Sequence, residues 1–179
     1  MSCKLTLSLG GHIETVEQAV ALVEAIVSEV LDDEEGGFIS SIELAQSAMR
    51  RAIEGNMTLD LIDATHEHGG NFDDIDPLIE KYPSLQKMAH MENESGANTI
   101  ERTHTVHGEL KYTSVDHYAF SGALISVREL KEALATDTPI TSIQRLIDTA
   151  ELQAGGDFPP LTASPAVQVW LKIFAEKAA

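Results

Sequence analysis

Disulfides, membrane spans and positive charge are what this chain lacks, and each absence narrows its function. Cys3 is the only cysteine, so an internal disulfide is excluded, and a small apolar residue opening a strand suits a reducing compartment. No apolar run approaches the ~20 residues a membrane-spanning helix requires. The start, MSCKLTLSLGG, has neither the basic stretch nor the long apolar segment of a signal peptide, so the chain reads as cytoplasmic. Bases are scarce where acids are dense. Nine acids and no base lie between Lys4 and Arg50, and eight acids and no base between Arg51 and Lys81. Of the net charge of −17, residues 1–94 carry −14 (19 acids, 5 bases) and residues 95–179 carry −3. A field of that sign repels nucleic acid and anionic membrane and attracts basic proteins. Direct binding to DNA or RNA through the first half is excluded on this ground.

Two catalytic signatures are also missing. There is no G-x-S-x-G elbow around Ser121-Gly122, and the GGHIE that follows the first strand has neither a Walker lysine nor a G-x-G-x-x-G pattern. No catalytic residue, metal ligand or cofactor is therefore assigned. With 43% apolar and 23% charged residues the composition is that of a globular protein, and 179 residues fit one compact domain. Within it, residues 1–94 form an acidic, mainly helical half with an N-terminal strand. Residues 95–179 carry antiparallel strands followed by helices.

Periodicity supplies the elements. Leu5, Leu7 and Leu9 alternate with Lys4, Thr6 and Ser8, a half-buried strand that Gly10-Gly11 should end and that should add an edge to a small sheet. Thr15 and Gln18 make a capping box before an amphipathic helix with Glu17, Glu24 and Ser28 on its wet face. DDEEGG closes that helix, though acids oppose its C-terminal dipole. Ser40 and Glu43 open a second helix that ends near Gly55. Thr58 is read as the cap of a third, running to His66 and His68 and stopped by Gly69-Gly70. Asp76-Pro77 starts a short helix that Pro83 interrupts. Between residues 99 and 127 a Thr-, Val- and Tyr-rich texture predicts two or three antiparallel strands, with turns at Gly108 and near Val115-Asp116. Ser126 with Glu129 and Thr141 with Gln144 cap two further helices. GGDFPPLTASP reads as a loop, and Ser164-Pro165 begins a last helix carrying Trp170. The fold class is α+β, several amphipathic helices around a small antiparallel sheet.

The segment Thr65-His66-Glu67-His68 resembles the opening of the metallo-β-lactamase motif, T-H-x-H-x-D-H. Gly70 and Asn71 stand where its aspartate and third histidine belong, so the family is not carried over. On a helix, residues two apart point about 200° from each other, so His66 and His68 would not share an ion there. A composite site with His104, His107 and His117 is the basis of the alternative reading, a small metal-dependent hydrolase. Asp73-Asp74 with Asp76 lacks the spacing and the terminal glutamate of an EF-hand.

The acids carry the leading expectation. Asp32, Asp33, Glu34 and Glu35 form one cluster, and Asp60, Asp63, Asp73, Asp74 and Asp76 a second. Carboxylates arrayed on helix faces imitate the charge of a nucleic-acid backbone, about one per ~1.7 Å of duplex axis. The predicted function is a non-enzymatic acidic protein that binds a basic protein partner. Its most concrete form is an inhibitor masking a nucleic-acid-binding or nuclease site, a DNA mimic of the anti-defence or immunity type. A chaperone-like or structural adaptor, docking through the helix around Trp170, is the third class.

Overall fold

The computed structural model describes residues 3–33, 37–63, 72–93, 97–106, 109–118, 125–153 and 158–177. In chain order they form β1 (Cys3–Ile13), α1 (Val16–Ser28), β2 (Asp32–Asp33), α2 (Ile42–Gly55), β3 (Leu59–Asp63) and α3 (Asp76–Lys81). Then come β4 (Leu85–Asn93), β5 (Ala97–Val106), β6 (Glu109–Tyr118), α4 (Val127–Leu134), α5 (Pro139–Gln153), β7 (Leu161–Ala163) and α6 (Pro165–Lys177). The α+β class holds. The sheet runs in the order β2-β3-β1-β4-β5-β6, antiparallel throughout, and β7 adds to β1 in parallel.

β1 is the centre of the sheet, not an edge. It pairs with β4 along one side, and with β3 and then β7 along the other. Leu5, Leu7 and Leu9 are buried on one face together with Leu59 and Leu61 of β3 and Ala89 of β4. Each such leucine contributes about 1.5–3 kcal/mol on burial. α1, α2 and α6 pack against one another, and their apolar stripes (Leu22, Ile26; Ala45, Met49; Val167, Leu171) join the same core.

The glycine pair does not end β1. The strand continues to Ile13 because the backbone is approached from both sides at this point. Gly11 N donates to Pro160 O at 3.1 Å and His12 N to Ser84 O at 2.8 Å. A Cβ on Gly10 would lie 2.9 Å from the Phe158 ring and collide with the Pro159 carbonyl. Gly11, at φ +98°, would collide with the Ser84 carbonyl. The glycines mark a crossing, not a stop.

Other expectations also yield to pairing. Residues 59–63 are a strand, not the first turns of a helix: Leu59, Leu61 and Asp63 point inward while Asp60 and Ile62 are half-buried on the other face. Ile62 lies opposite Asp32 of β2 and Thr6 of β1. Asp32-Asp33, expected at a fraying helix end, are themselves strand, so α1 stops at Ser28. β4, unread in the sequence, fills the sheet centre because Leu85 and Ala89 meet the core while the polar residues between them are absorbed by neighbours. β6 runs straight through Val115-Asp116, β7 lies inside the expected loop, and α5 starts at Pro139, two residues before Thr141. The capping boxes at Thr15/Gln18 and Ser126/Glu129 form as expected, while α2 takes Ser41, not Ser40, as its cap. Asp76 is the first residue of α3, which Ile75 precedes as N-cap.

Candidate functional site

The predicted acids divide into two groups. Asp33 is ion-paired with Arg51, which also donates to Ser47 Oγ at 3.2 Å. Asp60 accepts from Thr58 Oγ1 at 2.9 Å, and Asp63 is fully buried at the end of β3. Asp76 receives the Phe72 amide at 3.1 Å and pairs with Lys87, whose side chain is 3% exposed. These four carboxylates serve the fold. Asp32 is half-buried on β2, and Glu34 and Glu35 lie outside the described residues. Asp73 and Asp74 alone of the nine are exposed where the structure describes them.

Asp73 and Asp74 belong to a surface the sequence did not single out. The turn that holds them is tied to the end of α1 by the Asp74 amide, which donates to the buried carboxylate of Glu29 at 2.7 Å. At the other end of α1, Glu17 faces Lys81 of α3 at 3.9 Å. Residues 74–81 are thus tied to α1 near both of its ends, and Glu17, Glu24, Asp73, Asp74 and Glu80 are exposed on these two segments. A helix of 13 residues spans about 20 Å. The length of α1 is thus about two screening lengths at ~10 Å each in moderate salt. The signal was present as the seven-residue spacing of Glu17 and Glu24. The return of residues 74–81 was not.

Beside the end of α1 the chain makes a short hairpin. Ile39 N donates to Leu31 O at 3.0 Å, Asp33 N to Gly37 O at 2.8 Å, and Phe38 bridges Asp32. Leu31 and Ile39 enter the core, and Phe38 stands 52% exposed. Val30, between α1 and this hairpin, has φ +57°. Glu43, in the first turn of α2, has its carboxyl held below its ordinary value by a hydrogen bond from its own backbone and another from Ser41.

The opposite face of the sheet holds bases. Arg102 of β5 is buried, donates to Gln86 Oε1 at 2.8 Å and lies 5.2 Å from the centre of the Phe158 ring. His104, two residues on, is also buried. Desolvation, and after it the Arg102 guanidinium, push its imidazole below the ordinary value. This is a buried polar layer under the 158–160 segment, and it presents no converging ligand set. Among the described residues no three His, Cys, Asp or Glu side chains are grouped to hold a metal ion. His66, His68 and His107 lie outside the described residues, and so does the His117 side chain. No helix among the described residues is long and apolar enough to cross a membrane. Comparison with protein-family models, with curated proteins and with solved structures finds no match.

Proposed function

We propose that this chain is a non-enzymatic binding protein that presents an acidic surface to a basic protein, and that its partner's nucleic-acid-binding or nuclease site is what the surface masks. One observation carries the reading. Two of the five bases in residues 1–94, Arg51 and Lys87, are held by Asp33 and Asp76, while Glu17, Glu24, Asp73, Asp74 and Glu80 stand exposed on α1 and the 73–80 segment tied to it, with Lys81 beside Glu17. Internal pairing removes acid and base in equal number, so the surface is more nearly of one sign than the sequence count. Such a surface steers a basic partner and sets the register of docking.

The test is affinity capture from a native lysate at two salt concentrations, comparing the natural chain with one carrying Glu17→Gln, Glu24→Gln, Asp73→Asn and Asp74→Asn. The expected result is a basic partner retained at low salt, weakened at high salt and lost with the substitutions. A captured partner should in turn be displaced from nucleic acid by the natural chain. Retention that ignores both salt and the four substitutions would sink the proposal.

One observation favours the hydrolase as a second reading. The residues that lead toward Thr65 are strand as far as Asp63, so the helix expected from Thr58 does not form there, and His66 and His68 lie outside the described residues. Stoichiometric zinc or manganese in protein purified without a histidine tag would favour it; metal-free protein would not.

A further inference from the structure

The helix layer holds a cleft whose charge opposes that of the chain. α2 and α6 pack together, and between them Arg50, Ile53 and Glu54 meet Gln168, Leu171 and Lys172 around a cavity of about 90 Å³. Two of its walls are apolar: Leu171 is buried, and Ile53 packs against the core. In a chain of net charge −17, Arg50 and Lys172 bring bases from two helices against the one carboxylate of Glu54. Among the described residues neither base is ion-paired. The Nε of Arg50 is buried and has no hydrogen-bond acceptor. Arg51, the next residue, shows the ordinary arrangement, its guanidinium held by Asp33 and Ser47. A buried guanidinium N–H without an acceptor is costly, so a fold that keeps one calls for a partner. The α6 wall is fixed in place, because Gln168 Nε2 donates to Ala163 O at 2.9 Å.

From this we infer that the cleft between α2 and α6 is an anion site that takes a phosphoryl group, free or as a monoester, between Arg50 and Lys172. The site does not depend on the acidic surface. Size, geometry and charge each narrow the ligand. A water's share of liquid volume is ~30 Å³, so about 90 Å³ admits a head group of a few heavy atoms and leaves the rest of a larger ligand outside. The guanidinium presents Nε–H and a terminal N–H as a fork, which two oxygens of one anion can take side by side. Lys172 reaches the cleft from the other helix, so the anion needs a further oxygen pointing another way. A tetrahedral phosphoryl group has one, whereas a planar carboxylate spends both oxygens on the fork. The apolar walls at Ile53 and Leu171 strengthen each charged contact by lowering the local dielectric. Glu54 cancels part of the attraction, so directional contacts select the ligand, not bulk charge.

Heteronuclear NMR reads the proposed atom directly, through the Nε–H resonance of Arg50, while inorganic phosphate is titrated at constant ionic strength. The expected result is a saturable shift of that resonance, followed by the backbone amides of Ile53, Gln168 and Lys172, with a dissociation constant on the order of 1 mM. Arg50→Gln should weaken binding, read at the remaining amides, by about tenfold. Arg50→Lys keeps the charge but loses the fork, and should weaken it nearly as much. Lys172→Gln should weaken it too, whereas Lys131→Gln, a base of α4 outside the cleft, should leave it unchanged. The natural chain should bind acetate at least tenfold more weakly than phosphate. Phosphoserine binding tighter than phosphate identifies a monoester as the ligand, and weaker binding identifies the free ion; either supports the site. No saturable shift of the Arg50 Nε–H in the natural chain overturns the inference, and that measurement needs no variant to fold. Acetate as tight as phosphate, or Arg50→Lys as tight as the natural chain, overturns the phosphoryl assignment.

Discussion

Removing Asp76 should destabilise this protein rather than blunt its binding. The Asp76 carboxylate accepts the Phe72 amide with one oxygen and pairs with Lys87 through the other, and the Lys87 side chain is 3% exposed beneath the fully buried Phe72. Asp76→Ala leaves an ammonium in the core without this counter-charge. Breaking a buried pair from one side costs about 3–5 kcal/mol. Because the Asp76 side chain keeps 34% exposure, water reaches the site and the low end applies, about 3 kcal/mol. At about 2–4 °C per kcal/mol for a chain of this size, the melting temperature should fall by roughly 6–12 °C. Urea unfolding followed by circular dichroism gives the free energy directly. Two controls sharpen the result. Asp73→Asn with Asp74→Asn, three and two residues away but exposed, should stay within about 0.5 kcal/mol of the natural chain. Lys87→Met in the Asp76→Ala background removes the buried ammonium and should recover at least half of the loss. An Asp76→Ala protein as stable as the natural chain would refute the buried-pair argument and return Asp76 to the binding surface.

Other perturbations follow from the same structure. Thr15→Ala removes the hydroxyl that accepts the Gln18 amide at 3.2 Å at the start of α1, and should cost about 1 kcal/mol in the same urea assay. Gly10→Ala places a methyl group on the Pro159 carbonyl and the Phe158 ring. It should loosen the 158–160 segment as well as lower stability, which amide hydrogen exchange at β7 would register. His104 gives a pH signature. Its folded value is lowered from about 6.5, so the unfolded chain takes the proton first. Stability is fully present above 6.5 and is lost as pH falls from there through the lowered folded value. His104→Phe should flatten that part of the pH–stability curve.

How much was legible depended on whether the deciding physics was local. The caps of α1 and α4 are hydrogen bonds between residues three apart, and the amphipathic stripe of α1 is a matter of spacing, so both could be read from the chain. The candidate site was half legible for the same reason. The density of acids in residues 1–94 is a property of the sequence, but which acids face solvent is not. Asp33, Asp60, Asp63 and Asp76 sit among the others in the chain and are consumed by Arg51, Thr58 and Lys87 or by burial, all consequences of which strands and helices come together. Glu17 and Glu24 needed only helical spacing to be found on one face. Their joining with Asp73, Asp74 and Glu80 needed the return of residues 74–81 along α1.

The sequence by itself determined the α+β class, most of the helices and the sign of the surface, because composition and short-range periodicity act within a few residues. Tertiary structure decided the rest. It made residues 59–63 a strand against the helical start and stop signals around them, since pairing with β1 along all five residues, and with β2 at Leu61 and Ile62, outweighs local propensity. It carried β1 through two glycines that read as a terminator, because backbone from residues 84–85 and 158–160 needs the room a Cβ would take. It paired Asp32 with Phe38 and Ile62 as strand, where the sequence showed only a helix end and a run of acids.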